Sequence, residues 1–261
     1  MAQYKIHKFP KSRIATFDVC SIGLKKHHVT ALIEIDVSDS RGKIKQYIKK
    51  NNKISFTAWL IKVISKTIKD YENVNGYLKG KRKVIVFNDI NVSVAVEKDL
   101  NGQKIPIPLI IEKANERSIE SITRQISDAR GQNLTDKDIV LQNKSNKLER
   151  FYYYLPGFIR RYFWQYLLRH PYFAFSKMGN VAFTSIGMMG NVNGWFVPIS
   201  VHPICFGIGK ILKKATVIKD KIEIREILNM TVLLDHDVID GAQMARFISK
   251  LSDNIEKGIE L

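Results

Sequence analysis

Cysteine is nearly absent from this chain. Cys20 and Cys205 are the only two among 261 residues. They lie far apart and neither belongs to a CxxC, which argues against a disulfide framework and a zinc site and fits a reducing cytoplasm. Long apolar runs are missing as well: no stretch reaches roughly eighteen residues, so no conventional transmembrane helix is expected. The opening MAQYKIHKFPKSR has no apolar core and no small-residue cleavage site, which argues against a secretory signal. There is no internal repeat and no low-complexity linker. Acidic residues are few: 25 Asp and Glu face 42 Lys and Arg, a net charge of +17. That excess attracts anions such as nucleic acid, anionic lipid or a polyphosphorylated small molecule. No zinc-finger spacing, aromatic RNA-binding signature or helix-turn-helix accompanies it, so no nucleic-acid partner is expected. Most of the lysines read as a solvated basic surface.

What is present is a mixture of strands and helices. VTALIEIDV (29–37), KVIVF (83–87) and INVSVAVE (90–97) are rich in β-branched residues and read as strands, with Asn88-Asp89 as turn chemistry between the last two. IPIPLII (105–111) reads as extended because of its prolines. Phe56, Leu60, Ile64 and Ile68 recur every four residues behind Ser55, a helix with its N-cap. Ser118 to Ala129 also reads as a helix. Residues 181–186 and 204–212 read as strands around a loop rich in glycine and methionine, and 216–225 with 226–234 as a hairpin. A last helix starts near Gly241, with the stripe Met244, Ile248, Leu251, Ile255 and Ile259. Regular βαβ alternation is absent, so the expected class is an α+β layered sheet in a single domain spanning 1–261.

LLDHDVIDG, residues 233–241, sets a histidine between two aspartates inside an aliphatic run. Imidazole is the side chain best suited to move a proton near neutral pH. If the strand ends near His236, the ring projects into a cleft, Asp240 fixes the local backbone and charge, and Gly241 permits a tight turn where a side chain would crowd the backbone. Read alone, the stretch also fits an ordinary turn histidine with Asp240 as a helix N-cap.

LDHDVIDGAQMARF resembles the DHRxIDGA segment in the catalytic domain of the acyltransferase component of 2-oxoacid dehydrogenase complexes, whose HxxxDG core is shared with chloramphenicol acetyltransferase. The likeness extends to SFTAWLIKVISKTIKDYENVNGYL with Asn75, to VFNDINVSVAVEKDLNGQKIPI, to AFTSIGMMG followed by FVPI, and to PICFGIGKI. It covers most of residues 25–255 in the family's order. It implies a chloramphenicol acetyltransferase-like mixed sheet packed with helices, with the active site at the subunit interface of a homotrimer. His236 then matches the general base that takes a proton from the thiol of coenzyme A or dihydrolipoamide. Thr184 matches the hydroxyl that stabilises the oxyanion, with the adjacent Ser185 as the other choice of register. Asp240 matches the motif aspartate and Asp235 the aspartate before the base. An aliphatic setting implies a dry channel around the imidazole. Gly241, Lys210 and Lys213 are candidate coenzyme A contacts, and Arg13 a candidate partner for Asp240; for the three cations the alternative is solvated surface charge.

Four departures from the family follow. Asp237 stands where many members carry arginine. The few residues before the catalytic segment leave no room for a lipoyl domain or a subunit-binding module, so any lipoyl group is expected on a separate carrier protein. The end, SDNIEKGIEL, is largely polar, which predicts assembly that stops at the trimer. Finally, residues 145–178 have no counterpart. There Leu155, Phe158, Ile159, Tyr162, Phe163, Tyr166 and Leu167 follow helical spacing, with Arg160, Arg161, Gln165 and Arg169 on the other side. This helix, 155–169, reads as an apolar face packed on the sheet or on a neighbouring subunit, as an interfacial helix touching an anionic membrane, or as a lid on the acyl channel. The expected function is coenzyme A-dependent acyl transfer to a thiol or other small acceptor. The rival is a catalytically silent scaffold that binds a membrane or a partner through the insert.

Overall fold

A computed structural model of the chain describes residues 2–6, 13–50, 53–100, 103–131, 152, 154–187 and 192–261. Its centre is a six-stranded sheet. In chain order the strands are β1 (His28–Asp36), β4 (Val92–Leu100), β5 (Gln103–Ile111), β6 (Val181–Ser185), β7 (Ile204–Ile218) and β8 (Lys221–Asp235). In space the order is β1-β8-β7-β6-β4-β5, with β6 parallel to both β4 and β7 and the other pairs antiparallel. A separate ribbon pairs β2 (Tyr77–Lys79) with β3 (Lys83–Ile85). The expected strand at 83–87 therefore belongs to the small ribbon and not to the main sheet.

One face of the sheet is covered by helices α2 (Ser38–Lys49), α3 (Phe56–Asp70), α4 (Ile119–Gly131) and α7 (Gly241–Lys257). α3 begins where Ser55 accepts a hydrogen bond from the Ala58 amide at 3.1 Å, satisfying one of the donors that a helix N-terminus leaves open. It is buried almost all round: Trp59, Leu60, Ile61, Ile64 and Ile68 share the core with Phe183, Phe206, Met230, Val232 and Leu234. Each such side chain contributes about 1.5–3 kcal/mol by leaving water. Since Phe183, Phe206 and Val232 take this face, the alternate positions Thr184, Gly207 and Thr231 take the other. Residues 194–200 cross that second face. Thr231 donates to the Phe196 carbonyl at 2.8 Å, and a Cβ on Gly207 would stand 3.1 Å from the Pro198 ring and 3.2 Å from the Phe196 carbonyl. Glycine at 207 lets this crossing segment lie against the sheet.

β7 and β8 form one long hairpin of two 15-residue strands. The hairpin read from sequence at 216–225 and 226–234 thus has its turn displaced: the turn is Lys219-Asp220, with φ of 47° and 63°, the left-handed pair that a two-residue hairpin turn needs. A Lys-Asp pair is a weak signal for that turn. Among the described strands β5 pairs only with β4, and as an edge strand it tolerates Pro106 and Pro108.

The inserted segment holds α5 (Gly157–Arg169) and α6 (Pro171–Met178), beside α1 (Arg13–Gly23). A second apolar cluster joins Ile22, Tyr77, Leu167, Ala174, Met178 and Val201, and Phe87 stacks on Phe175 at 4.0 Å. Asp18 of α1 is buried and accepts from Arg160 at 2.7 Å and from the Tyr152 hydroxyl at 2.6 Å; Trp164 in turn donates to Tyr152 at 2.9 Å. Packing on the body of the protein therefore describes one side of α5 only. Of its apolar stripe Leu167 is buried, while Phe158, Ile159, Tyr162, Phe163 and Tyr166 face outward. Arg160, expected on the solvent side, is turned inward by Asp18.

Candidate active site

β8 runs directly into the histidine motif. Leu233 and Leu234 end the buried part of the strand and Asp235, 2% exposed, is its last residue. The start of β1 grips the loop at three successive points. Lys26 donates to the Asp235 carboxylate at 2.5 Å. The His236 amide donates to the His27 carbonyl at 2.9 Å. The His27 ring meets the Asp237 carboxylate at 2.9 Å, and that bond raises the His27 pKa above its ordinary 6.5. Within the loop Asp235 also accepts from the Asp237 amide at 3.2 Å, and its carbonyl accepts from the Val238 and Ile239 amides. The backbone of His236 is held on both sides. Its imidazole is exposed and makes no hydrogen bond among the described residues.

Three expectations change here. A dry channel is not formed by this chain itself: the aliphatic neighbours Leu233, Leu234 and Ile239 belong to the core, and the ring lies outside it. Gly241 is not crowded, since a Cβ there would meet nothing within 4 Å; it is the first residue of α7, with ordinary helical backbone. Asp240 is the N-cap of α7, accepting from the Gln243 amide at 3.1 Å, and Arg13 makes no ion pair with it among the described residues. The aspartate of the motif thus ties the loop to the helix that follows, through a backbone donor.

Thr184 and Ser185 are both half-buried near the end of β6, but alternation sends them to opposite faces. Thr184 shares the face of Gly207 and Thr231, which lie opposite it on β7 and β8. His236 lies five residues beyond Thr231 along β8. At about 3.4 Å per residue and about 4.8 Å per strand, His236 and Thr184 of one chain stand roughly 17 Å apart along the sheet and roughly 10 Å across it. Hydrogen-bond reach is about 3 Å. One chain does not bring these two side chains together.

Other residues near the loop escaped the sequence reading. His28 donates from Nε2 to the His202 carbonyl at 2.9 Å. His202 donates from Nε2 to the Met178 carbonyl at 2.9 Å and takes the Ser200 hydroxyl on Nδ1 at 3.2 Å; because a carbonyl only accepts, the proton sits on Nε2 in both rings. Burial pushes the His202 pKa down to about 4, so the ring is neutral at physiological pH and serves as a brace. Burial pushes the Cys205 thiol up to about 12, which removes it as a nucleophile. Asn75 is fully buried, and both its amide atoms are unpaired among the described residues; a Cβ on its neighbour Gly76 would lie 3.2 Å from Val238 of the loop. The KKHH run at 25–28 was the available signal for the grip on the motif. Lys210 is half-buried at the β7 bulge between Ile208 and Ile211, and Lys213 is exposed three residues on.

The fold is that of solved dihydrolipoamide acyltransferase cores. A probable dihydrolipoamide acetyltransferase from Listeria monocytogenes superposes with a TM-score of 0.69 at 22% identity, covering 98% of this chain and 95% of that one. A truncated catalytic core of the 2-oxoacid dehydrogenase multienzyme complex from Thermoplasma acidophilum gives 0.66 at 21%, covering 98% and 100%. The family model for the 2-oxoacid dehydrogenases acyltransferase (catalytic domain) matches residues 24–140 and 176–261. The chain belongs to that family. Among its relatives, the dihydrolipoyllysine-residue acetyltransferase component of pyruvate dehydrogenase complex from Mycoplasma pneumoniae is 27% identical over 216 residues, 82% of this chain and 44% of that protein. The lipoamide acyltransferase component of branched-chain alpha-keto acid dehydrogenase complex from Bacillus subtilis is 24% identical over 239 residues, 88% of this chain and 46% of that protein. The chain thus spans less than half the length of these two relatives. The family match breaks off over residues 141–175, where the insert lies.

Proposed function

We propose that the protein is a coenzyme A-dependent acyltransferase that moves an acyl group between coenzyme A and a thiol of the dihydrolipoyl type, and that it works as a homotrimer. His236 removes the proton of the attacking thiol. A thiol pKa near 8.5 makes this transfer to imidazole only slightly uphill. The thiolate adds to the thioester carbonyl, and the oxyanion of the tetrahedral intermediate accepts a hydrogen bond from Thr184 of a neighbouring subunit. Collapse expels the second thiolate, which recovers the proton from the imidazolium. No covalent enzyme intermediate is needed. The register that separates His236 from Thr184 within one chain supports a site shared between two chains, and a neighbour would also enclose a ring that is exposed in the single chain. Lys210 and Lys213 are candidates to meet the phosphates of coenzyme A, and a lipoyl acceptor would arrive on a separate carrier protein.

The observation that carries this reading is the presentation of His236: a free imidazole on a loop fixed at its backbone from both sides. Release of coenzyme A thiol from acetyl-CoA and longer acyl-CoAs, with dihydrolipoamide as acceptor, tests it. His236→Ala is expected to lower the rate by about 10²–10⁴. Full activity in that variant overturns the mechanism. A folded protein with neither thiol release nor coenzyme A binding would favour the silent scaffold.

A further inference from the structure

We propose that the outward face of α5 is a membrane-docking surface that lies in the headgroup region of a bilayer containing anionic phospholipid. The face is well defined. Phe158 is 66% exposed, Tyr162 68%, Tyr166 47%, Phe163 42% and Ile159 38%, and their helical positions fall within one arc of about 140°. Arg169 falls within this arc at the end of the helix and Arg161 about 60° beyond its edge; neither makes an ion pair among the described residues, whereas Arg160 on the inner side is neutralised by Asp18.

Charge selects the occupant. The sequence from residue 151 to residue 219 contains no Asp or Glu, so the segment that carries the aromatic face brings cations and no anions of its own. An apolar interior beneath an anionic layer complements that pattern: phenylalanine and isoleucine enter the acyl boundary, tyrosine hydroxyls stay at headgroup level, and arginines reach the phosphates. The geometry fits a surface mode. Thirteen residues of helix measure about 20 Å, short of the roughly 30 Å hydrocarbon core, and no helix among the described residues is long and apolar enough to cross a membrane. The Asp18–Arg160–Tyr152–Trp164 network clamps the inner side of α5, holding the aromatic face outward without cost to the core. The helix also lies outside the residues that the family model matches.

Flotation of the 261-residue chain with vesicles tests the proposal. The expected result is binding to phosphatidylcholine vesicles containing phosphatidylglycerol, at least tenfold weaker binding to phosphatidylcholine alone, and release by salt. Phe158→Asp with Tyr162→Asp should weaken binding at least tenfold, and Arg161→Gln with Arg169→Gln about fivefold for each arginine. Circular dichroism checks that the variants fold, and the thiol-release assay without vesicles should leave their activity unchanged, which separates this proposal from the catalytic one. Absence of flotation with the anionic vesicles overturns it, as does flotation unaffected by the paired aspartates. A change in oligomeric mass caused by those substitutions in the absence of vesicles would assign the face to a second copy of this chain and equally overturn it.

Discussion

The histidine loop and the inserted helix are held by the same device. Each is pinned by a buried carboxylate paired with a cation from a distant segment: Asp235 with Lys26, side chains 2% and 19% exposed, and Asp18 with Arg160, 5% and 15% exposed. Each pin leaves a proposed functional surface facing outward, an imidazole in one case and an aromatic face in the other. They differ in their relation to the family. Lys26 and Asp235 both lie within the matched residues, whereas Asp18 and Arg160 both lie outside them. The second anchor joins two elements, α1 and α5, that both stand outside the matched residues. Buried ion pairs contribute little net stability against an apolar alternative, but removing one partner is costly. Such pairs therefore fix position more than they add stability, which suits both sites.

The comparison can be broken in three places. The largest effect is expected at Thr184: Thr184→Ala should lower acyl transfer by about 10²–10³, while Ser185→Ala, on the opposite face of β6, should change it by less than about tenfold. The reverse order, measured as kcat/KM for coenzyme A thiol release, would shift the oxyanion donor by one residue. Next is the insert's anchor. Asp18→Asn leaves Arg160 without its counter-charge and should cost about 3 kcal/mol, read as a lowered urea midpoint with kcat/KM unchanged. A fall in kcat/KM would mean that the insert shapes the acyl channel. The smallest effect concerns the exposed pair of His27 and Asp237. A raised histidine pKa means that the contact is complete below 6.5 and lost as the pH rises through the raised value. By NMR, the His27 titration midpoint should lie above 6.5 and fall back toward it in Asp237→Asn. An unchanged midpoint would remove Asp237 from the grip on the loop.

Much of this was legible in the sequence where the information is local. α3 declares itself through Ser55 and a repeat of four. The HxxxDG spacing marks the loop, and Asp240 before a helical stripe reads as a cap. What escaped depends on contacts remote in sequence. Lys26, His27 and His28 reach the motif only because β1 pairs with β8 across more than two hundred residues, and no local pattern encodes that pairing. α2 was missed because only Ser40 and Ile44 of its twelve residues are buried, too few to set up a periodicity. The Lys219-Asp220 turn was missed because its residue types are unremarkable for the backbone they adopt. The insert's helix was visible, but its orientation was not: an apolar stripe does not reveal whether it faces in or out, and a single buried aspartate on another helix decided it.

Pro106 and Pro108 have a consequence for growth of the sheet. They occupy alternate positions on the outer strand β5, so their nitrogens face away from β4. A further strand approaching there would find two successive donors missing and could not build a continuous ladder. The opposite edge, β1, has no such block; its Ile33 carbonyl accepts from the Trp195 side chain at 2.9 Å. The sheet is therefore polar in the sense of a growing end and a capped end. Any assembly that extends it from chain to chain has one edge to use.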